Sequence, residues 1–484
     1  MIAVIGSGPV GIFVSHQLLK QGKTVALFDA GTATDESAFL NGESYQFVTP
    51  SALPKNVHRL GGGSNYWMHR VSQFIDMDFQ EHISRPGTKW PIDLAEIRSH
   101  YKDLESQVFT GDLNEQQIKT HLSRLAPSGI SHLLSLRPFR YMPEDYFKRL
   151  LADMKLNPNF LLKLEHFCLD FHNSEDARVK IKFVTPDGTV TEIADSLIIA
   201  CGALQSPSLV TRSFLAEGRN FDSIGSPLME HLEGYVGSIR MKSSQKALMS
   251  PFILDTNRRL THQQFGTGIA LEEEILQKNG WPNFQIELVS YIPDYQLNRL
   301  LSNYSHQIMN PVLFFLLKKS SYAERFLKKA FYKFIHSISN LFGISYYSVW
   351  IKSEEFPSYS SSATYNTHSN QTIYHHSVSD ITSKKLREGL LFLSKTFQQE
   401  NMGSFHFYSR IFDQKKPLYL RPNWHPMGTL PMLEDSRVGI VNPNQELIGF
   451  RNVYLCDASI FPSGSNSNPV FTALMLAIRL SKIL

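Results

Sequence analysis

The first thirty-one residues restrict what this chain can fold into more than any other stretch. Met1-Ile2-Ala3-Val4-Ile5 is a short apolar run, and Gly6-Ser7-Gly8-Pro9-Val10-Gly11 follows it directly. An apolar stretch then leads to Gln21-Gly22, a second apolar run covers residues 24–28, and Asp29-Ala30-Gly31 closes the unit. Strand, glycine turn, helix, strand and acid, in that order, make a dinucleotide-binding βαβ unit. Gly6 permits the tight turn, Gly8 lets the backbone approach a pyrophosphate, and Gly11 lets the helix pack on the strand. Pro9 and Val10 open the helix, whose first turn offers unpaired N–H groups and a partial positive charge to phosphate. Asp29 falls where a carboxylate at the end of the second strand accepts from a ribose hydroxyl. The stretch by itself does not separate NAD from FAD.

The 484 residues leave room for two or three domains and a large core. A net charge of +4 on that length makes no case for nucleic acid. Cys168, Cys201 and Cys456 lie far apart with no CxxC pair, so neither a disulfide framework nor a zinc site is expected. The glycine motif starts at the initiator Met and leaves no room for a signal peptide. The longest uncharged apolar run, 308–317, is interrupted by Asn310-Pro311 and is too short to cross a bilayer. A cytoplasmic protein is the expectation.

Further along, Arg59-Leu60-Gly61-Gly62-Gly63-Ser64-Asn65-Tyr66-Trp67 marks a backbone passing very close to something, and we read it as a second cofactor contact. Trp90-Pro91-Ile92-Asp93 precedes a helix predicted over 94–108 with Asp93 as its cap. From 159 the pattern turns to β: a run over 160–171, a hairpin at 173–176, strands over 179–184 and 190–193 around Thr185-Pro186-Asp187-Gly188. Residues 196–203 form an apolar strand ending in small residues, and Gln205-Ser206-Pro207-Ser208 opens a helix through Arg212. Residues 234–292 alternate weakly as strands of a second sheet, continued by 346–355 and 371–375. Residues 358–370 read as a Ser-rich loop. His375-His376 in a strand pattern places one ring inward and one outward, without the partners a metal site needs. Residues 311–342 read as a helix with six basic residues among Phe, Leu and Tyr. That helix is either a solvated cover on the second domain or an amphipathic surface for an anionic membrane or a partner.

The C-terminal sixty residues carry the most specific pattern. They contain Asn423-Trp424-His425-Pro426-Met427-Gly428-Thr429, Phe450-Arg451-Asn452-Val453-Tyr454-Leu455-Cys456-Asp457-Ala458-Ser459 and Asn468-Pro469-Val470-Phe471-Thr472-Ala473-Leu474. With the N-terminal fingerprint, the 61–65 loop, Gly202-Ala203-Leu204-Gln205-Ser206-Pro207 and Leu228-Met229-Glu230-His231, these blocks resemble the glucose-methanol-choline (GMC) oxidoreductases, an FAD-dependent family. The segment 67–101 looks most like the pyranose and sugar-acid branch. The central 232–420 matches in outline only.

The resemblance implies an α/β fold: a discontinuous Rossmann-like FAD domain and a substrate domain on a mixed, largely antiparallel sheet covered by helices. It divides the chain into 1–231, with cap insertions around 95–158, then a substrate domain at 232–420, and 421–484 completing the FAD domain. It places FAD against Gly6, Gly8, Pro9, Val10, Gly11, Asp29, Gly62, Ser64, Asn65, Cys168, Cys201, Gly202, Asp457, Ala458, Asn468, Pro469 and Val470. Tyr66 stands where the pyranose-oxidase branch has its flavin-linking histidine, which implies non-covalent FAD. Pro469 suits the first turn of the last helix, whose N-terminal dipole then faces the flavin. Alcohol oxidation needs a hydride acceptor and a proton acceptor, and a neutral histidine suits the second role near pH 7. By resemblance His425 is that base, delivering hydride to flavin N5, and Asn468 bonds the substrate hydroxyl. The implied substrate is a sugar or glycoside hydroxyl, with oxygen, a quinone or a protein as electron acceptor. The alternatives are a lipophilic alcohol, a non-redox flavin lyase or decarboxylase, and a binding module that has lost the chemistry.

Overall fold

The computed structural model describes residues 1–33, 45–47, 58–109, 117–118, 120, 132–219, 221, 223–242, 253–254, 265–289, 344–408, 411, 418, 420–435 and 439–484, and the structural statements below concern these. The basic stretch 311–342 lies outside them.

The N-terminal run forms the centre of a five-stranded, all-parallel sheet in the order Val453–Leu455, Ser196–Ile199, Ile2–Ile5, Val25–Phe28, Phe160–Lys163. Ile2–Ile5 and Val25–Phe28 are buried at every position, as strands covered on both faces must be. The covering helices are Pro9–Lys20, Leu94–Val108 and Val470–Ile483, the last packed against the other two. Asp93 caps Leu94–Val108 as the sequence predicts, accepting from the Ala95 N–H at 2.7 Å. Ile97, Tyr101, Leu104 and Val108 form that helix's buried stripe, and the Tyr101 hydroxyl meets Thr472 Oγ1 at 2.5 Å. Because the strands all run one way, their carboxyl ends share one edge of the sheet.

The second sheet is antiparallel along its path: Ser404–Phe407, Leu232–Lys242, Ile344–Ser353, Phe284–Val289, Phe265–Leu271, Leu134–Tyr141, Arg70–Val71. Two of its strands, Arg70–Val71 and Leu134–Tyr141, come from the N-terminal half of the chain. Period-two alternation splits the faces. Ile239, Ile286, Leu288, Val349 and Ile351 cluster with Leu386, Leu390, Leu393 and Phe397 of the helix Asp380–Gln399. The opposite face carries Glu233, Lys352, Gln285 and Glu287, all buried.

Four local expectations are corrected. Residues 160–171 are not one strand: Glu165 takes φ 56°, dividing Phe160–Lys163 in the parallel sheet from Phe167–Asn173 in a separate three-stranded antiparallel sheet. Gln371–His375 does not continue the second sheet, and 358–370 is not only a loop, because Gln371–His375 pairs with Ser362–Asn366. The ladder ends at Ser353, the Phe356 N–H donates to the Thr382 hydroxyl at 3.2 Å, and the chain then turns toward the parallel-sheet side. There the Ala363 N–H donates to the Gly225 carbonyl at 2.8 Å, and Ser208 and Thr372 hydroxyls meet at 2.7 Å. The helix expected to open at Gln205 spans Gly202–Ala216, with Pro207 inside its first two turns. Among the described residues no helix is long and apolar enough to cross a membrane.

Candidate active site

At the carboxyl edge of the parallel sheet the predicted cofactor residues come together. Gly6 sits at φ 101°, and a Cβ there would lie 2.6 Å from the Ala200 carbonyl oxygen; one on Gly11 would lie 1.8 Å from that of Gly6. These two glycines are needed for packing. Gly8 is different: a Cβ there would meet nothing within 4 Å, so its backbone borders open space at the N-terminus of Pro9–Lys20. Gly63 and Gly202 border open space in the same sense. The 61–65 loop lies against the first glycine turn, with the Gly61 N–H donating to Ser7 Oγ at 3.1 Å and a Gly62 Cβ falling 3.3 Å from Gly8 Cα. Ser64 Oγ donates to the Gly61 carbonyl at 2.7 Å, and the Asn65 amide donates to the Leu60 and Gly62 carbonyls, both at 3.0 Å, which shapes the loop from within. An extended ligand bearing phosphates fits this edge: open backbone, a helix N-terminus and two converging glycine turns.

Two carboxylates hold that edge. Asp29 accepts the Ser7 N–H at 2.8 Å, the Ser7 hydroxyl at 2.6 Å and the Gly31 N–H at 2.8 Å. Asp457 accepts the Gly202 N–H at 2.8 Å, the Ser206 hydroxyl at 2.6 Å and the Ser459 N–H at 2.7 Å. Each carboxylate ties its own strand end to the turn of the neighbouring parallel strand. Sequence reasoning assigns both to ribose and ribityl hydroxyls; in the structure they build the turns, through Ser7 and Ser206. Ala458 opens the single-turn helix Ala458–Ile460, with Asp457 as its cap. Cys201 caps the Gly202–Ala216 helix, with its thiol 3.4 Å from the Ile5 carbonyl, and Cys168 is buried in Phe167–Asn173. Burial pushes both thiols up, so neither is a ready nucleophile.

His425 lies where the two sheets meet. Trp424 before it takes φ 67°, an outlying conformation for a bulky side chain. Strained backbone persists where the surroundings hold it in place, and here the strand Arg421–Pro422 pairs with Leu232 and Glu233 while the His425 N–H donates to Glu230 Oε2 at 2.7 Å. The His425 imidazole packs on that of His231, with centroids 4.2 Å apart at 38°. Its Nδ1 is buried with no hydrogen-bond partner among the described residues. Burial, reinforced by His231, holds His425 well below the usual histidine range, so the ring is neutral at pH 7. Burial also pushes the Glu230 carboxyl up to about 8, so it is largely protonated there. His376 turns inward to Glu355 at 2.8 Å while His375 turns to the Ser360 carbonyl at 2.6 Å, the alternation expected of the pair.

Asn468 precedes Pro469 and Val470 at the start of Val470–Ile483, and its amide donates to the Arg70 carbonyl at 3.0 Å. The Ser467 backbone lies against His231, and Arg70 and His231 both act on His425, which links Asn468 to the histidine pair. Sequence reasoning does not anticipate the wall around them. Lys352 Nζ and His231 Nε2 each lie 2.8 Å from Glu233 Oε1. Arg70 forks onto Glu287 and stacks 3.4 Å over Phe139. Gln285 donates to Glu287 at 2.8 Å, and Asn466 of the C-terminal loop donates to Gln285 at 3.2 Å. The only available signal was the alternation of polar residues in Phe-Gln-Ile-Glu-Leu-Val, a pattern that ordinarily marks a solvated face. Among the described residues no group of three His, Cys, Asp or Glu side chains could hold a metal.

The sequence model of the GMC oxidoreductases matches residues 362–477. No curated protein matches the chain in sequence. Among solved structures the chain is similar to pyridoxine 4-oxidase from Mesorbium loti, with TM-score 0.59 and 15% identity over 100% of this chain and 98% of that one. It is similar also to a formate oxidase of Aspergillus oryzae studied for FAD modification, with TM-score 0.59 and 15% identity over 100% and 97%. The C-terminal residues 362–477 thus match the GMC oxidoreductases, and the whole chain shares its fold with these two oxidases.

Proposed function

We propose that the protein oxidises a CH–OH group of an uncharged, polyhydroxylated molecule, a sugar or glycoside, with His425 as the base. The observation that carries this reading is the neutral, half-buried imidazole of His425 beside a buried wall of paired charges and amides. FAD, when bound, supplies the hydride acceptor. Gly8, the Gly62 loop and the N-termini of Pro9–Lys20 and Gly202–Ala216 would hold its pyrophosphate and dinucleotide body, and Val470–Ile483 would turn its positive end toward the flavin. His425 takes the hydroxyl proton as the hydride leaves carbon, and a neutral imidazole is the form that can accept it. Asn468, anchored to the Arg70 carbonyl, orients the hydroxyl with its remaining amide oxygen and hydrogen.

The wall supports a hydroxyl-rich substrate over a lipophilic one. Glu233, Lys352, Gln285, Glu287 and Asn466 are buried and bonded to one another, and such groups can re-pair with hydroxyls but not with a hydrocarbon skeleton. The lipophilic reading drew on residues 311–342, which lie outside the described residues.

The test is anaerobic incubation of purified protein with a panel of sugars, glycosides and lipophilic alcohols, following the flavin absorbance. Bleaching by sugars is expected. Bleaching by the lipophilic members alone overturns the substrate class, and a bound flavin that none of them reduces favours lyase or binding chemistry. His425→Ala should retain FAD while reduction slows by roughly 10²–10⁴-fold. Reduction at the wild-type rate removes His425 from the chemistry.

A further inference from the structure

We infer that His231, backed by the Glu233–Lys352 pair, is the positioning group for His425, and that Glu233 is the counter-charge for the imidazolium formed when His425 accepts a proton. This rests on the reading of His425 as the base.

The geometry runs in a continuous line. The His425 ring lies on the His231 ring at 4.2 Å. His231 Nε2 is 2.8 Å from Glu233 Oε1, and Lys352 Nζ is 2.8 Å from the same oxygen. Glu233 and Lys352 are direct cross-strand partners, so sheet register alone puts them together. Glu233 also pairs across the ladder with Arg421, four residues before His425. One strand therefore carries both the counter-charge and the backbone that sets where His425 begins.

The charges around His425 explain why Glu233 matters most. Facing it are His231 and Glu233 beside one strand, Lys352 from the next, and Arg70 from the far edge, while Glu230 takes its backbone N–H. Lys352 and Arg70 both oppose a positive charge on the ring. Of the nearby carboxyls, Glu287 is forked onto Arg70, and Glu230 is held protonated by burial. Among the described residues Glu233 is the carboxylate whose charge acts on the His425 ring. Burial by itself would push its carboxyl up, but Lys352 and His231 hold it well below the usual range, so it is charged throughout the working pH. An imidazolium with no anion nearby in a buried site costs several kcal/mol, and Glu233 reduces that cost.

The experiment compares wild type, Glu233→Gln, Glu233→Gln combined with Lys352→Met, and Glu233→Asp. It reads anaerobic flavin reduction against pH and titrates ¹⁵N-labelled imidazoles by NMR, with His425→Ala assigning the resonance. Glu233→Gln should slow reduction by on the order of tenfold for each unit of basicity lost, with KM little changed. It should move the acid limb of the rate profile, and the His425 NMR titration, to lower pH. The double variant, which removes the opposing cation as well, should recover much of the rate. Glu233→Asp keeps the charge and should fall between, and it serves in place of Glu233→Gln if that variant fails to fold. An unmoved acid limb and unmoved NMR titration in a folded, FAD-loaded Glu233→Gln overturn the inference. A wild-type rate in His425→Ala overturns the underlying base assignment instead, so the two failures are distinguishable.

Discussion

The carboxyl edge of the parallel sheet and the inner face of the antiparallel sheet both bury carboxylates, but they neutralise them differently. Asp29 and Asp457 are met by backbone N–H groups and serine hydroxyls that lie close by in the turns. Glu233 and Glu287 are met by Lys352 and Arg70, which arrive from strands remote in sequence. The first arrangement needs only short-range dipoles. The second needs full charges of opposite sign in register, and it makes a wall whose members depend on one another.

That difference can be tested by breaking each side. The largest effect is expected from Arg70→Ala, which leaves Glu287 buried without its ion-pair partner, with the Gln285 amide and the Lys352 charge still acting on it. Denaturant unfolding should show a loss of about 3–5 kcal/mol, and adding Glu287→Gln should recover most of it. A single variant as stable as wild type would mean that the wall is not desolvated. On the other side, Gly11→Ala drives a Cβ into the Gly6 carbonyl and should cost about 3 kcal/mol, at the upper end for forced contacts. Gly8→Ala, by contrast, should keep the melting temperature of the FAD-free protein and lose FAD affinity, because its Cβ meets only open space. Equal losses of stability from the two glycines would erase the distinction between packing and ligand-facing turns. A pH-dependent effect concerns Glu230, whose folded-state value of about 8 lies above its ordinary value of 4.5. The folded protein keeps a proton there that the unfolded chain has released, so this group lowers stability as pH rises from about 4.5 to about 8. The slope is at most ~1.4 kcal/mol per pH unit. Glu230→Gln keeps an acceptor for the His425 N–H and should flatten that part of the stability profile; an unchanged profile would show the carboxyl to be ionised throughout.

The two sides were also unequally legible in the sequence. Gly6, Gly8 and Gly11 announce their turn because the constraint on each is local, a sign of φ or a missing Cβ, and His425 announces itself through fixed neighbours. Glu233 and Lys352 meet only after two strands have paired, and nothing in either segment predicts the other. The alternation in Phe284–Val289 was visible, but alternation does not say whether the polar side faces water or a second domain. The strand Ser362–Asn366 was missed for a related reason. Its serines and threonines read as a loop until the contact at Gly225 and the pairing with Gln371–His375 commit them to a sheet. Asp29 and Asp457 stand out in the sequence at strand ends, while Ser7 and Ser206, which the structure bonds to them, do not, because a serine near a glycine turn reads as turn chemistry and nothing more.

The wall has one more consequence, which concerns how a substrate arrives. Two cations and two carboxylates stand in it, each sign bonded to its opposite, so the row as a whole projects little field beyond its own surface. A molecule approaching from solvent is neither drawn in nor repelled by it and enters at the pace of ordinary diffusion. On the substrate reading proposed above, selection then falls to contact, when a candidate either satisfies the directions of the wall's hydrogen bonds or leaves.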